Sequence, residues 1–380
     1  MLYVCFSCMM VLVGLAGCNP TSSTTHTKTP TSTTIAITGV SSPTSTSSTT
    51  SITTFSTPAT TITTSSTTSP TTTVWFPPSG VTFGSPAGLY LLPITVGPDG
   101  NLWFTEADGN TIDKISAVTG NVTEYNVPTD NAGPNGITSG PDGNIWFTET
   151  NANKIGKISP TTGAITEYSI PTYAASPDGI IAGPDDNLWF TETRGKIGKI
   201  SPVTDNITEY SIPINGGFPT SIVAGPDGNL WFIEILANNI GKISAATGDI
   251  TEYQIPTETT NAISIATGSD GNLWCTESRT NTIGKISPVT GNVTEYMTHT
   301  VEAQLFGIAA GPDGNLWFTE WKKIGKISPV TGIITEYNVS TSNGGITAGP
   351  DGCMWYTEWG NKIGKISPTT GVITEYPIGN

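Results

Sequence analysis

Seven glutamates recur along this 380-residue chain, each closing a short aromatic segment of the type NLWFTE. They are Glu106, Glu149, Glu192, Glu234, Glu277, Glu320 and Glu358. Carboxylates that crowd one another raise one another's pKa, and a carboxylate with a raised pKa can accept a proton as a general base near neutral pH. We take Glu320 and Glu358 as the candidate catalytic bases.

Two tryptophans directly follow this glutamate in the last two units. Trp321 and Trp359 stand where the first five units have Ala, Thr, Thr, Ile and Ser. Aromatic side chains beside carboxylates are typical of a ligand platform, although the same rings could instead pack between repeats. His299 is the one histidine of the repeated region. A lone histidine in a loop is more often solvated than catalytic.

The elements that carry these residues follow from an internal repeat. Its tryptophans are Trp103, Trp146, Trp189, Trp231, Trp274, Trp317 and Trp355. A spacing of about 43 residues is typical of a four-stranded propeller blade rather than of a helical pair. In the second unit, residues 136–138, 144–149, 154–159 and 165–168 are predicted strands, and Gly140-Pro141-Asp142-Gly143 is a turn. We predict an all-β, seven-bladed propeller over residues 74–380.

The order of strands in such a blade decides which residues share a face. If the first strand runs from top to bottom, the turn after it lies at the bottom. The glutamate that ends the second strand then lies at the top, with the variable loops, so ligand binding is expected on this top face. The closure of the ring is left open. The seventh unit has its own fourth strand, residues 372–376, yet residues 74–77 or 81–83 could also pair there.

A second set of glutamates lies on the outer strands. They are Glu124, Glu167, Glu209, Glu252, Glu295, Glu336 and Glu375. Their predicted partners are the lysines across the outer hairpin, namely Lys114, Lys157, Lys199, Lys242, Lys285, Lys326 and Lys365. Exposed cross-strand pairs of this kind contribute on the order of 0.2–1 kcal/mol each and require no functional explanation.

The composition limits the partners and the compartment. A net charge of −15 excludes a basic nucleic-acid surface, so we expect no nucleic-acid partner, and we expect a monomer. Residues 1–18 are apolar and end in Leu15-Ala16-Gly17-Cys18, as a bacterial lipobox does, with Cys18 as the lipidated residue; an ordinary signal peptide is the alternative. Residues 19–73 are Ser, Thr and Pro-rich and are predicted to be a disordered linker. We therefore expect an extracytoplasmic protein, either a cell-surface lipoprotein or secreted, whose only membrane contact is the anchor at Cys18.

The recurring GPDGNLWFTE and NKIGKISPTTG segments with the following ITEY resemble the virginiamycin B lyase (streptogramin lyase) family over roughly residues 85–380. The resemblance implies a seven-bladed propeller that opens cyclic streptogramin B antibiotics at the ester by elimination, with magnesium. It also implies a catalytic histidine two residues before the isoleucine of the last blade's first strand, working with the glutamate of the next segment, and a second histidine one blade earlier.

This sequence departs from the family at both histidine positions. Gly344 and Phe306 occupy them, while the glutamate is kept as Glu358. Neither glycine nor phenylalanine can accept a proton, and general base catalysis typically contributes 10²–10⁴-fold. Two hypotheses follow. One is a binding or display module on the lyase scaffold, with ligand contacts from Trp321, Trp359 and Phe306. The other is a magnesium-dependent carbon–oxygen lyase with a carboxylate base. A lactonase-like propeller is a weaker third.

Overall fold

The computed structural model describes residues 93–213, 216–340, 343–358 and 362–378. The predicted leader with Cys18, the predicted linker and the possible closing strands at 74–77 and 81–83 lie outside the described residues, and so does Trp359. The described residues form 28 strands in seven four-stranded antiparallel sheets, without a helix, so the predicted all-β, seven-bladed propeller is confirmed. None of them forms a helix that could span a membrane.

Each blade is a meander of consecutive strands. The first strands are β1 (Ile94–Val96), β5 (Pro134–Ser139), β9 (Pro177–Ala182), β13 (Pro219–Ala224), β17 (Ala262–Thr267), β21 (Ile308–Ala310) and β25 (Asn343–Ala348). The second strands are β2 (Leu102–Glu106), β6 (Ile145–Glu149), β10 (Leu188–Glu192), β14 (Leu230–Glu234), β18 (Leu273–Glu277), β22 (Leu316–Glu320) and β26 (Met354–Glu358).

The outer half of each blade has the same regularity. The third strands are β3 (Thr111–Ile115), β7 (Lys154–Ile158), β11 (Lys196–Ile200), β15 (Asn239–Ile243), β19 (Thr282–Ile286), β23 (Lys323–Ile327) and β27 (Lys362–Ile366). The fourth strands are β4 (Val122–Asn126), β8 (Ile165–Ser169), β12 (Ile207–Ser211), β16 (Ile250–Gln254), β20 (Val293–Met297), β24 (Ile334–Asn338) and β28 (Ile373–Pro377). The seventh blade thus takes all four strands from one continuous stretch of chain.

The blades pack through two faces of the second strand. In blade 2, Trp146 points toward blade 3 and Phe147 toward blade 1, because neighbouring residues of a strand point to opposite faces. Trp355 of blade 7 packs against Phe104 of blade 1 in the same way, which closes the ring. All seven repeat tryptophans are fully buried. A single blade could not bury both faces, so the blades stabilise one another.

A polar contact fixes each of these tryptophans at the bottom of its blade. The Trp146 indole nitrogen donates to Asp142 in the predicted turn, at 2.9 Å. The Trp146 ring stacks on Tyr168, with the ring centres 5.7 Å apart, and Lys157 lies 4.9 Å from the Trp146 ring centre. Asp186 takes the glycine place in the turn of blade 3 and has a positive φ of 57°. The turn aspartate is therefore part of the blade framework.

The prediction for the outer glutamates was wrong in their lysine partner. Lys157 lies opposite Thr166 in the register, on the Trp146 face, whereas Glu167 lies opposite Gly156 on the other face. Glu167 instead binds Lys154, which lies two residues before Gly156 and on the same face as Glu167, at 2.8 Å. The equivalent pairs are Lys196–Glu209 at 3.2 Å, Lys323–Glu336 at 2.7 Å and Lys362–Glu375 at 2.9 Å. The predicted lysines mostly bind turn aspartates, as in Lys199–Asp185, Lys285–Asp270 and Lys365–Asp351.

Candidate functional site

The first strands enclose a central channel, and in five of the blades one position at the top of this strand is set by a contact between blades. The threonine hydroxyl of the second strand donates to a backbone carbonyl at the top of the next blade's first strand. The acceptors are Asn135 (2.7 Å), Asp178 (2.7 Å), Thr220 (2.6 Å), Phe306 (2.6 Å) and Gly344 (2.7 Å). Ile263 holds the same place in blade 5, one residue after Ala262, which pairs with Glu277. We call these six residues the channel ring.

The backbones of the channel ring approach one another closely. A Cβ atom added at Gly136 would lie 2.2 Å from the carbonyl oxygen of Asp178, and one added at Gly179 would lie 2.6 Å from that of Thr220. Gly307 lies in the same way against Gly344, at 3.0 Å. Glycine is therefore required at Gly136 and Gly179, whereas blades 4 and 5 accommodate Ser221 and Ser264 at the same place.

One half of the channel ring is polar. The Asn135 amide nitrogen donates to an Asp178 carboxyl oxygen at 2.6 Å, across the interface of blades 2 and 3. Burial raises the pKa of Asp178 to about 6, although the hydrogen bond from Asn135 opposes this rise. Thr220 follows in blade 4; it is 8% exposed, and its hydroxyl oxygen has no hydrogen-bond partner among the described residues.

The other half of the ring is apolar and contains both positions where the family resemblance implies histidine. Ile263 is 8% exposed and Phe306 is 4% exposed. The backbone nitrogen of Phe306 donates to the Thr319 carbonyl at 2.9 Å, which fixes the approach to the strand β21. Gly344 is buried and offers no side chain to the channel. No group that can accept a proton stands at either position.

The strand-two glutamates lie at the top of their blades as predicted, but most of their carboxyl groups do not open onto the top face. Six of the seven, all except Glu106, are at most 1% exposed. Burial raises the pKa of Glu149 to about 7 and that of Glu192 and Glu234 to about 8, and in each case the charge of the nearby strand-four glutamate adds to the shift. The carboxyl groups of Glu192 and Glu234 are therefore mostly protonated near neutral pH, and that of Glu149 is about half protonated.

The strand-four glutamates have the opposite behaviour. Burial alone would raise the pKa of Glu167, but hydrogen bonds from Lys154 and Thr129 outweigh it, so the pKa is lowered. Thr129 Oγ1 donates to Glu167 at 2.8 Å, which ties blade 2 to the connection from blade 1. In blades 2, 3 and 6, an inner carboxyl group with a raised pKa thus stands beside an outer carboxylate with a lowered pKa. Because the pattern recurs in several blades, it belongs to the repeated fold rather than to one site.

Glu320, a candidate base, belongs to this pattern. Burial raises its pKa to about 7; the charge of Glu336 raises it further, while Lys323 and Thr300 lower it. Glu358 is 1% exposed and lies at the same place in blade 7, opposite Lys362 in the register. Both carboxyl groups are covered by the blades around them. The structure thus places Glu320 and Glu358 below the top face rather than on it.

The aromatic candidates differ in exposure. Trp321 is 39% exposed at the top of blade 6, and its backbone nitrogen donates to the Ala303 carbonyl at 2.8 Å. Trp359 lies outside the described residues. His299 is exposed in the connection to blade 6, and its backbone nitrogen donates to Glu336 at 3.0 Å. Trp321 is therefore a partly exposed aromatic side chain at the top of blade 6, the blade that also carries Phe306.

Sequence reasoning missed Asp113 in blade 1. It replaces the glycine that the third strands of the other six blades have beneath a strand-two side chain, which is an aromatic ring in five of them and Cys275 in blade 5. At Gly156 a Cβ atom would lie 2.1 Å from the Phe147 ring, so glycine is needed there. Asp113 is fully buried, and burial raises its pKa to about 7, with Glu106 and Glu124 adding to the shift. The sequence signal for this residue was that Asp113 interrupts a glycine that repeats in the other six units.

The residues present do not fit the magnesium ion that the resemblance implies. Among the described residues, no three or more histidine, cysteine, aspartate or glutamate side chains form a group that could hold a metal ion. Magnesium prefers accessible carboxylates together with water molecules. Six of the seven strand-two carboxyl groups are buried, with a raised pKa in blades 2, 3 and 4, and four of the strand-four carboxylates bind lysine. We derive no step through magnesium.

The fold and site can now be compared with known proteins. The model of the virginiamycin B lyase family matches residues 85–345. The chain belongs to this family. A streptogramin B lyase structure is 38% identical, with a TM-score of 0.67, and covers 72% of this chain and 92% of that one. A catalytically inactive variant of virginiamycin B lyase from Staphylococcus aureus, with quinupristin, is 39% identical, with a TM-score of 0.68 and coverage of 72% and 93%.

A more distant likeness concerns the fold alone. An extracellular domain assigned to a one component system of B. thetaiotaomicron is 15% identical, with a TM-score of 0.61, and covers 76% of this chain and 42% of that one. Among curated proteins, the comparison found no significant match. The family model ends at residue 345, so it includes both Phe306 and Gly344 and stops before Glu358.

Proposed function

We propose that this member of the virginiamycin B lyase family is a ligand-binding or display module that does not open its ligand. The observation that carries the proposal is the apolar half of the channel ring. Phe306 and Gly344 stand there at positions fixed by hydrogen bonds to their backbone carbonyls, where the family resemblance implies histidines. Without a proton acceptor at either position, an elimination that depends on proton abstraction loses its base.

The ligand of this module is proposed to bind on the top face, as a small molecule or a cell-surface group. Phe306 would contact it at the channel mouth, and Trp321, with its partly exposed indole ring, would contact it at the rim. Trp359 is proposed as a second rim aromatic on the basis of its sequence position alone. An aromatic ring at a rim binds apolar ligand surface with little loss of side-chain entropy, which suits a binding site.

Export and lipid anchoring belong to the same proposal. Their support is in the sequence, where a short apolar leader ends at Cys18 and a long Ser, Thr and Pro-rich segment precedes the propeller. Such an arrangement would hold a monomeric propeller away from the membrane that its lipid anchors. The net charge of −15 supports the absence of nucleic-acid partners.

A second candidate function is a carbon–oxygen lyase with a carboxylate base. The observation that favours it is the pKa of Glu320, which burial raises to about 7, because a general base works best with a pKa near the ambient pH. Glu358 is the alternative base, at the position of the family's glutamate. The burial of both carboxyl groups argues against this function, because a substrate on the top face would not touch them without a rearrangement of the blade top.

The deciding experiment uses the full chain with quinupristin, the ligand named for the S. aureus structure. We expect calorimetry to detect binding, and mass analysis after long incubation with magnesium to show the intact ring. Linear product would overturn the proposal. Loss of that product in Glu320→Gln or Glu358→Gln would then assign the base and establish the second candidate. Absence of both binding and opening would reject a streptogramin as the ligand of either function.

A further inference from the structure

We propose that the polar half of the channel ring binds the primary ammonium group of a small amine whose apolar part extends toward Phe306. This inference rests on the proposed function only in placing a ligand at the top of the channel. It adds a chemical class for that ligand. Three side chains from neighbouring blades, Asn135, Asp178 and Thr220, lie on one side of the ring.

The first step is that Asp178 lacks a cationic partner. Its hydrogen bond comes from the neutral amide of Asn135, at 2.6 Å. Elsewhere in the propeller, partly buried carboxylates bind lysine, as Glu167 does with Lys154 at 2.8 Å. Among the described residues, no salt bridge to Asp178 occurs within 4.0 Å. A half-buried carboxylate without a counter-ion is costly to keep ionised, and a cationic ligand would offset that cost.

The second step concerns Thr220, the neighbour of Asp178 on the ring. Its hydroxyl oxygen is buried and has no hydrogen-bond partner among the described residues, although more than nine-tenths of the residue is covered. Buried hydroxyl groups normally have a partner, because leaving one unpaired costs free energy. The repeat places this residue as it places Asp178, so a ligand that contacts Asp178 would also be within reach of Thr220.

The third step counts acceptors. Because Asn135 donates its amide nitrogen to Asp178, the amide oxygen of Asn135 is left as an acceptor. An Asp178 carboxyl oxygen and the Thr220 hydroxyl oxygen supply two more. A primary ammonium carries three donors and no acceptor, so it can satisfy one acceptor from each of three neighbouring blades. An anionic ligand would face the carboxylate instead.

The fourth step is the opposite side of the ring. In a seven-bladed ring, blade 3 stands across from blades 6 and 7, which carry Phe306 and Gly344 at this level. The apolar surface of Phe306 and Ile263 would contact the alkyl or aryl part of the amine, and the missing side chain at Gly344 leaves room for it. One side of the channel ring would therefore bind the ammonium group, and the opposite side would bind the apolar part of the same amine.

The test measures binding of hexylammonium to the full chain by calorimetry, with 1-hexanol as the neutral probe of equal length. We expect Asp178→Asn to weaken hexylammonium binding at least tenfold and to leave any hexanol binding unchanged. The matched control is Asp186→Asn, which makes the same charge change at the exposed bottom turn of the same blade, where asparagine also tolerates the φ of 57°. Thr220→Val should weaken hexylammonium binding several-fold, and thermal unfolding should show that all three variants are folded.

The inference would be overturned if the folded chain did not bind hexylammonium. It would also be overturned if the unmutated chain and folded Asp178→Asn bound hexylammonium equally, or if hexanol bound as tightly as hexylammonium. These results are separable from the proposed function. Quinupristin bound and left intact, with no hexylammonium bound, would reject only this inference. Quinupristin opened would reject the proposed function, and the effect of Asp178→Asn on hexylammonium would still decide this inference.

Discussion

The strand-two glutamates and the channel ring lie side by side in blades 2 to 7, yet the two sets differ in how strictly the residue type repeats. Glu149 pairs in register with Pro134, the residue directly before Asn135. The glutamate is the same in all seven units and its carboxyl group is buried in six of them, whereas the six ring residues are Asn, Asp, Thr, Ile, Phe and Gly. Residues that repeat stabilise the blades, and residues that differ at one structural position are those available for specificity.

This difference between the two sets of residues changes the interpretation of the repeated strand-two glutamates. Recurring carboxylates suggest a catalytic ring on the top face. In the structure most of them are buried between packed blades, and in blade 3 the pKa of Glu192 is raised while that of the outer Glu209 is lowered. The chemistry available to a ligand is therefore found where the repeat is broken, at Asp178, Phe306 and Gly344.

The largest effect is expected from breaking the repeated framework. Trp189 is fully buried and packs with Ile197, Ile222 and Phe232 at the interface of blades 3 and 4. Trp189→Ala should lower the free energy of unfolding by about 3–5 kcal/mol, because it leaves a large cavity. Urea unfolding followed by circular dichroism measures this.

The control for that prediction is a ring residue. Thr220→Val removes a buried hydroxyl that has no partner among the described residues, so it should change the free energy of unfolding by less than about 0.5 kcal/mol or raise it slightly. If Thr220→Val costs as much as Trp189→Ala, the channel ring belongs to the framework and the distinction fails.

The second prediction concerns variants that place histidine at the two ring positions where the family resemblance implies it. The double variant Phe306→His with Gly344→His should open quinupristin roughly 10²–10⁴-fold faster than the unmutated chain, because a positioned general base contributes that much. Mass analysis of the product measures the rate. A folded double variant that binds quinupristin and leaves it intact would show that this scaffold lacks more than its base.

The smallest effect concerns the pH dependence of stability. The folded pKa of Glu192, about 8, is above its unfolded value of 4.5, so the folded state holds a proton that the unfolded state releases between these values. The contribution to stability is complete below pH 4.5 and is lost as the pH rises through 8. The melting temperature should therefore fall from pH 5 to pH 8, and Glu192→Gln should remove about 3 kcal/mol of that loss. An unchanged slope in Glu192→Gln would contradict the shifted pKa.

The fold was predictable because its signals are local and repeated seven times. The tryptophan spacing predicts the blade, and the predicted strands of the second unit match β5 to β8 to within two residues at each end. The error concerned which face each side chain occupies. Lys157 and Glu167 look adjacent across the hairpin, but the register places Glu167 opposite Gly156. A one-residue offset moves a side chain to the other face, and the spacing of charges along the chain does not reveal it.

The candidate site was less predictable, because its members are about one repeat apart in sequence. Asn135 and Asp178 are in contact only because blades 2 and 3 are adjacent, and no local motif joins them. The unpaired hydroxyl of Thr220 becomes visible only when its surroundings are known. The sequence does contain one signal for this site. When the repeats are aligned, the residue at the ring position differs from unit to unit, whereas the positions near it repeat.

The hydrogen bonds that position the channel ring have a consequence for how this protein can diverge. In five of the blades a threonine hydroxyl holds the ring residue by its backbone carbonyl, which every amino acid possesses. The side chain at that position is therefore not needed to hold the blades together. A substitution at a ring position can change the side chain that faces a ligand while the neighbouring blades keep their spacing. In a propeller of duplicated blades, substitutions at the ring positions can therefore change ligand preference one residue at a time.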